Sequence, residues 1–359
     1  VTIPIRAGSG RVLNDRIERS WIEAFRQTFA LCAVRKDEPS VILCETQSRP
    51  LAIHLAELAL LESGLRPVRI TLPTPPPASP VPIRSTGASR ALGGNAVALA
   101  ALREAGFVVD LTLEGMLHAP ELPAILESGA RLLMVSNEHP EALARLVPDP
   151  ALMPKVKAAV KRCRAARHMQ VRSAAGTDLA IDMTGAVTVG VWGYCDRPGT
   201  VAHWPGGVVV SFPRASTVNG VLVLDEGDIN LTFKRYLRSP VTLTIEDDHV
   251  TGIAGRGIEA ELMRRYLAAF GDREAYAVSH VGFGMNPAAR YEALTMYDQR
   301  ETNGTELRAV AGNFLFSTGA NEFAGRFTEG HFDIPVMNCT IELDGEAVVE
   351  EGRLAKEFA

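Results

Sequence analysis

The feature that most constrains this chain is a change of texture near residue 170. Before it, short apolar runs alternate with helical ones. A run at 41–44 reads as a buried strand, 51–63 as a helix closed by Gly64, and 68–72 as the next strand. The stretch from Asp15 through Trp21, Ile22, Phe25 and Phe29 has the spacing of an amphipathic helix, with Asn14 or Asp15 as its N-cap. A helix over 95–105, ended by Gly106, sits before strands at 107–111 and 131–135. This β-α-β alternation predicts a parallel sheet with helices on its faces. Residues 73–82 form a proline-rich loop, because proline cannot continue a helix. After residue 170, glycine-punctuated strand signals take over at 179–183, 187–191, 208–212, 220–224 and 241–245, interrupted by a helix over 259–270. The expected architecture is an α/β N-terminal domain, residues 1–168, and a strand-rich α+β C-terminal domain, residues 169–359.

Composition narrows the function. The chain has 359 residues, enough for two such domains, and 42 acidic against 37 basic side chains give a net charge of −5. The densest basic stretch, 155–172, reads as a solvated helix face, so no nucleic-acid partner is expected. No run approaches the ~18 apolar residues of a membrane span, and no signal peptide opens the sequence. Five scattered cysteines, odd in number and without CxxC spacing, fit reduced thiols in a cytoplasmic protein. The Gly93-Gly94-Asn95 turn lacks any phosphate-loop pattern and reads as a plain helix start.

The chemistry concentrates near the C-terminus. In Glu329-Gly330-His331-Phe332-Asp333-Ile334-Pro335-Val336, an imidazole and a carboxylate stand two residues apart, with a strand expected over 336–343. On an extended backbone, residues i and i+2 face the same side, about 7 Å apart at ~3.3 Å per residue. His280, in the glycine-rich turn Ser279-His280-Val281-Gly282-Phe283-Gly284, could complete a set of two imidazoles and one carboxylate. Non-haem iron(II) uses that facial set for oxygen chemistry. The other histidines have poorer settings: His54 and His168 on helices, His139 and His249 in polar loops. His203, before Trp204-Pro205-Gly206-Gly207, is a pocket candidate with no carboxylate in step.

Three blocks carry a family resemblance: Gly-Phe-Gly-Met-Asn-Pro at 282–287, Asn-Phe-Leu-Phe-Ser-Thr-Gly at 313–319, and Glu-Gly-His-Phe-Asp-Ile-Pro at 329–335. They resemble blocks of the two-metal, thermophilic-type aminopeptidases. They resemble more closely an offshoot of that fold, the 2,5-dihydroxypyridine 5,6-dioxygenase family of nicotinate degradation. Where the peptidase pattern has a glutamate before its glycine-rich turn, this chain has His280. A peptidase histidine falls on Arg326, and an upstream glutamate falls near Val208. A guanidinium and a hydrocarbon cannot coordinate, so one metal is expected instead of two, in a nitrogen-rich setting that favours Fe(II).

The resemblance implies His280, His331 and Asp333 as iron ligands. It implies His118, in the loop 115–120, as the base that deprotonates a ring hydroxyl; an unperturbed imidazole titrates near pH 6.5. It also implies a small aromatic N-heterocycle and O2 as substrates, cleavage between C5 and C6 to N-formylmaleamate, and a homo-oligomer. Arg290, Glu322 and Arg326 are candidates to orient substrate, with Asn313 and Ser317 behind them. The rival readings are a metal-dependent aminopeptidase-like hydrolase, a binding protein that has lost its chemistry, and a dioxygenase acting on a related hydroxylated ring.

Overall fold

A computed structural model of the chain describes residues 16–77 and 88–359. The N-cap expected at Asn14 or Asp15 and the later part of the proline-rich loop lie outside the described residues. The first helix, Arg19–Leu31, buries Ala24, Phe25, Thr28 and Phe29 on one face. The parallel sheet contains Val68–Leu72, Ser40–Glu45, Phe107–Leu111 and Arg131–Val135, in that spatial order. A fifth strand, Val201–Trp204, pairs in parallel with Arg131–Val135, so the chain returns to this sheet from beyond residue 168. Alternate residues feed two cores. Ile42, Cys44, Phe107, Val109 and Leu133 face Phe25, Phe29, Leu55 and Trp204. Val41, Leu43, Val108 and Leu132 face Leu102, Met116 and Ile125. Burial on both faces explains the nearly continuous apolar strands.

The remainder is antiparallel. One sheet of eight strands includes His168–Arg172, Asp178–Asp182, Val218–Leu224, Val241–Glu246 and Thr340–Leu343. The other sheet runs in the order Arg326–Val336, Phe314–Asn321, Val278–Gly284, Val208–Phe212, Val187–Val191. Between them Phe283, Phe314, Phe316, Phe332, Ile334 and Val336 meet Val171, Leu179, Ile181, Leu222, Leu243 and Ile341 in one core. Among the described residues, no helix is long and apolar enough to cross a membrane. All five cysteines are buried free thiols.

Several local expectations differ from the structure. His280 lies on a strand, not in a turn, because its glycines serve close packing between strands. A Cβ on Gly282 would collide with the Val209 carbonyl. The strand expected over 336–343 is two strands: Asn338 adopts φ 56°, and the chain crosses there from one sheet to the other. The basic helix ends at Ala165, and His168 opens a strand.

Gly319 pairs with His331 at φ 125°, where a side chain would be strained and would strike the Gly330 carbonyl. Gly319→Ala should therefore cost roughly 2–3 kcal/mol, the scale of such backbone strain plus a forced shift. A urea titration checks this; a midpoint equal to the parent's would contradict the packing described.

Candidate metal centre

Register brings the predicted residues together. On neighbouring antiparallel strands, His280 pairs with Ser317, and Ser317 with Asp333. Directly paired residues share a face of the sheet. His331, two residues before Asp333, shares it too. The intervening residues Val281, Phe316, Phe332 and Ile334 point into the core. One face is thus apolar and carries stability, while the other carries two imidazoles, a carboxylate, a serine and glycine. The small residues Ser317 and Gly319 on the middle strand leave room between the three larger groups.

The resulting distances are short. His280 Nε2 lies 3.6 Å from Asp333 Oδ1, and His331 Nε2 lies 3.2 Å from Asp333 Oδ2. The two imidazole centroids are 6.0 Å apart. Burial alone would push the Asp333 pKa up, but Arg308 and His331 outweigh it and hold the group well below the usual carboxylate range. Arg308 was not singled out in the sequence. Its Nε donates to Asp333 Oδ2 at 2.5 Å. Asp333 Oδ1 is buried and has no hydrogen-bond partner.

His280 is held in a defined tautomer. A β-bulge between Val278 and His280 brings Ser279 Oγ 3.2 Å from His280 Nδ1. The single Ser279 hydroxyl proton is committed to the Ala320 carbonyl at 2.5 Å. Ser279 Oγ therefore accepts from Nδ1–H, and the Nε2 lone pair faces Asp333. Burial pushes the His280 pKa down to about 3, so the ring is neutral at pH 7. Tyr266 Oη donates to the His331 carbonyl at 2.6 Å and fixes that strand against the helix Ile258–Ala268.

These features bear on whether an ion fits. Among the described residues, no group of three or more His, Cys, Asp or Glu side chains is arranged to hold a metal ion. Arg308 and His331 both sit on Asp333 Oδ2. Yet the donors suit a divalent cation: two imidazoles, one with its pKa lowered by burial and its Nε2 directed at Asp333, and one carboxylate with its pKa lowered and one oxygen orphaned. A buried carboxylate oxygen without a donor costs free energy unless something positive approaches it.

Of the three donors, His331 lines a cavity of about 550 Å³, together with Ser279, Phe212, Glu322 and, from the first part of the chain, His118 and Arg90. This is the C-terminal edge of the parallel strands, where α/β sheets collect their ligands. The His118 loop is pinned from beneath. Asp110 Oδ1 accepts from Thr112 N and Oγ1 at 2.9 and 2.7 Å, and Oδ2 accepts from Met116 N at 2.7 Å. Burial pushes the Asp110 pKa up to about 6 against those bonds. His118 is exposed, but into the cavity. Crowding by the walls pushes its pKa down to about 4, helped by His331 and opposed by Asp333. The expectation of an unperturbed imidazole is therefore corrected.

The other candidates scatter. Glu322 lines the cavity. Arg326 is spent on a buried ion pair with Asp248 and a hydrogen bond to the Val278 carbonyl. Arg290 is exposed and binds Glu306 through its backbone N–H. Asn313 is a structural clamp, accepting from Gly284 N and donating to the Leu307 carbonyl. His203 is buried with Nδ1 2.6 Å from the Pro205 carbonyl oxygen, and burial pushes its pKa down to about 4.

The chain is similar to known proteins over nearly its whole length. A family model described as 2,5-dihydroxypyridine 5,6-dioxygenase matches residues 20–356. A protein of that name from Pseudomonas putida KT2440 is 38% identical over 334 residues, 92% of this chain and 94% of that one. The solved structure of 2,5-dihydroxypyridine dioxygenase from Pseudomonas putida KT2440 matches with a TM-score of 0.89 at 36% identity, covering 96% of this chain and all of the other. Wild-type AmpT from Thermus thermophilus matches with a TM-score of 0.64 at 15% identity, over 94% and 99% of the two chains, a likeness of fold.

The tautomer assignment is testable without any metal. In ¹⁵N spectra His280 should show protonated Nδ1 and unprotonated Nε2, and Ser279→Ala should give a mixture of tautomers while the fold persists. An unchanged His280 pattern in Ser279→Ala would remove Ser279 from this role.

Proposed function

The chain belongs to the 2,5-dihydroxypyridine 5,6-dioxygenase family, and we propose that it opens 2,5-dihydroxypyridine between C5 and C6, using Fe(II) held by His280, His331 and Asp333. Both atoms of O2 enter the product, N-formylmaleamate, so substrate and oxygen balance without another reductant. The observation that supports this reading is the shared sheet face: two imidazoles, each within 3.6 Å of the same carboxylate, beside a cavity that His118 also lines. An Fe(II) ion bound there would supply open positions for O2 and a ring oxygen, and a route for electrons between them.

The chain's own residues have separate tasks. About 550 Å³ accommodates a six-membered ring and a diatomic gas, and lies within the usual range for small-molecule sites. Phe212, Phe270 and Phe323 make part of its wall apolar, which favours a flat ring over water. Arg308 holds one carboxylate oxygen of Asp333 and leaves the other free. His118 reaches the ring from the first part of the chain. It is neutral at pH 7 and so presents a lone pair to a ring hydroxyl. Burial and His331 oppose the imidazolium formed by that transfer, and the negative charge of Asp333 offsets part of that. Residues 1–168, joined by the strand Val201–Trp204, and the rest of 169–359 are thus read as two domains that meet at the site.

Anaerobic reconstitution with Fe(II), followed by 2,5-dihydroxypyridine and O2, should give loss of substrate absorbance with one O2 taken up per ring. Chelation should abolish this and Fe(II) should restore it. About two zinc ions per chain with peptide cleavage would instead establish the hydrolase.

His118→Ala should bind the metal as the parent does, yet turn over ~10²-fold or more slowly, the usual share of a positioned base. In the parent, activity should fall as pH drops through about 4, where His118 gains its proton and can no longer accept one. A limb near 6.5 that survives His118→Ala would remove His118 from the mechanism.

A further inference from the structure

We infer that Glu138 is a positioning residue, which sets Arg308 and through it the metal-facing carboxylate of Asp333. The inference rests on the proposed metal site and extends it across the molecule.

Glu138 lies just past the parallel strand Arg131–Val135. Its backbone is fixed there: Ser136 N donates to the Trp204 carbonyl, and Glu138 N to the Ser136 carbonyl, at 2.9 and 2.8 Å. The side chain is only 2% exposed, and its partners come from the far part of the chain. Oε2 accepts from Asn303 N at 2.9 Å. Oε1 accepts from Gly304 N at 2.9 Å and Thr305 N at 2.8 Å, with Glu306 N at 3.4 Å. Burial pushes the Glu138 pKa up, and these backbone N–H groups pull it back.

Those four N–H groups run from just before the helix Thr305–Ala309, whose N-cap is Gly304, into its first turn. Five residues are too few for a helix to hold itself, and its first N–H groups have no partner within the helix. The carboxylate supplies the missing acceptors from outside. Two further contacts grip the same segment from the same side. Ser136 Oγ and Thr305 Oγ1 lie 2.6 Å apart, and Arg145 binds Glu306 through two N–H···O bonds at 2.6 and 3.0 Å. Arg308 lies on this short helix, and its Nε donates to Asp333 Oδ2. The line from the edge of the parallel sheet to the candidate ligand therefore passes through one carboxylate, one turn of helix and one guanidinium.

A carboxylate is required at position 138 because both its oxygens accept. Glutamine would offer one oxygen and turn an NH2 group against backbone N–H donors. Asn313, which binds the Leu307 and Arg308 carbonyls, anchors the helix at its other end. If that anchor sufficed, Glu138 would be dispensable to the metal.

The test is a double-mutant cycle on the full-length protein, read as the affinity for Co(II) alone by anaerobic calorimetry and by the ion's visible absorption. Glu138→Gln should weaken Co(II) binding ~10-fold or more, as loss of a residue behind a ligand does. Arg308→Gln should do at least as much, and the double variant should be no worse than Arg308→Gln alone. Glu38→Gln breaks the buried Arg131 pair remote from the site; it should lower thermal stability and leave Co(II) affinity unchanged. If Glu138→Gln does not fold, Glu138→Asp, one methylene shorter, replaces it in the cycle. Unchanged Co(II) affinity in the Glu138 variant, or equal losses in the presence and absence of Arg308, would overturn the inference. Failure of the parent to bind Co(II) would instead overturn the metal site.

Discussion

The buried carboxylate of Asp333 is the constraint around which the site is organised. A carboxylate removed from water is costly unless charge and hydrogen bonds compensate it. Here Arg308 compensates one oxygen, while the other faces an imidazole whose proton has been turned away from it. The protein thus keeps an anion where hydrocarbon would pack more cheaply. Such an arrangement makes sense if something positively charged occupies the free side during function.

The two halves of the molecule contribute different things. The antiparallel sheet supplies a rigid row of donors, because residues on paired strands are held more closely than residues on a loop. The parallel sheet supplies loops from its C-terminal edge, and these carry His118, Ser89 and Glu138 toward the donors. Each loop is tied by a buried carboxylate. Asp110 binds the His118 loop, Glu45 accepts from Ser89 and Leu113, and Glu138 takes the start of a helix from the other half. Backbone N–H groups aimed at buried carboxylates recur because each satisfies a donor that irregular backbone would otherwise leave unpaired.

Much of this was legible in the sequence. The alternation of strand and helix before residue 170 and the glycine-rich strands after it gave the fold class, since each follows from local periodicity. The pairing of His331 with Asp333 was legible for the same reason, as a two-residue spacing on an extended chain. Strand 201–204 was missed because four residues carry little periodic signal, and nothing local says which sheet they join. Arg308 was invisible because its role depends on a helix of five residues held by a remote glutamate. His118 was legible only through the family likeness. Its lowered pKa comes from cavity walls contributed by both halves, which no local pattern encodes.

The segregation of apolar and polar side chains on the three strands of the candidate site has a consequence for how such a frame can change. Valine, phenylalanine and isoleucine on the inner face carry the free energy of folding. The residues between them contribute little to that core and are addressed one at a time. Substituting one donor for another alters what the floor can bind while the scaffold beneath is untouched. Insertion of a single residue would do the reverse, sending imidazoles into hydrocarbon and phenyl rings toward solvent. Descendants of this architecture are therefore free to diversify by exchange of side chains, but not by change of strand length.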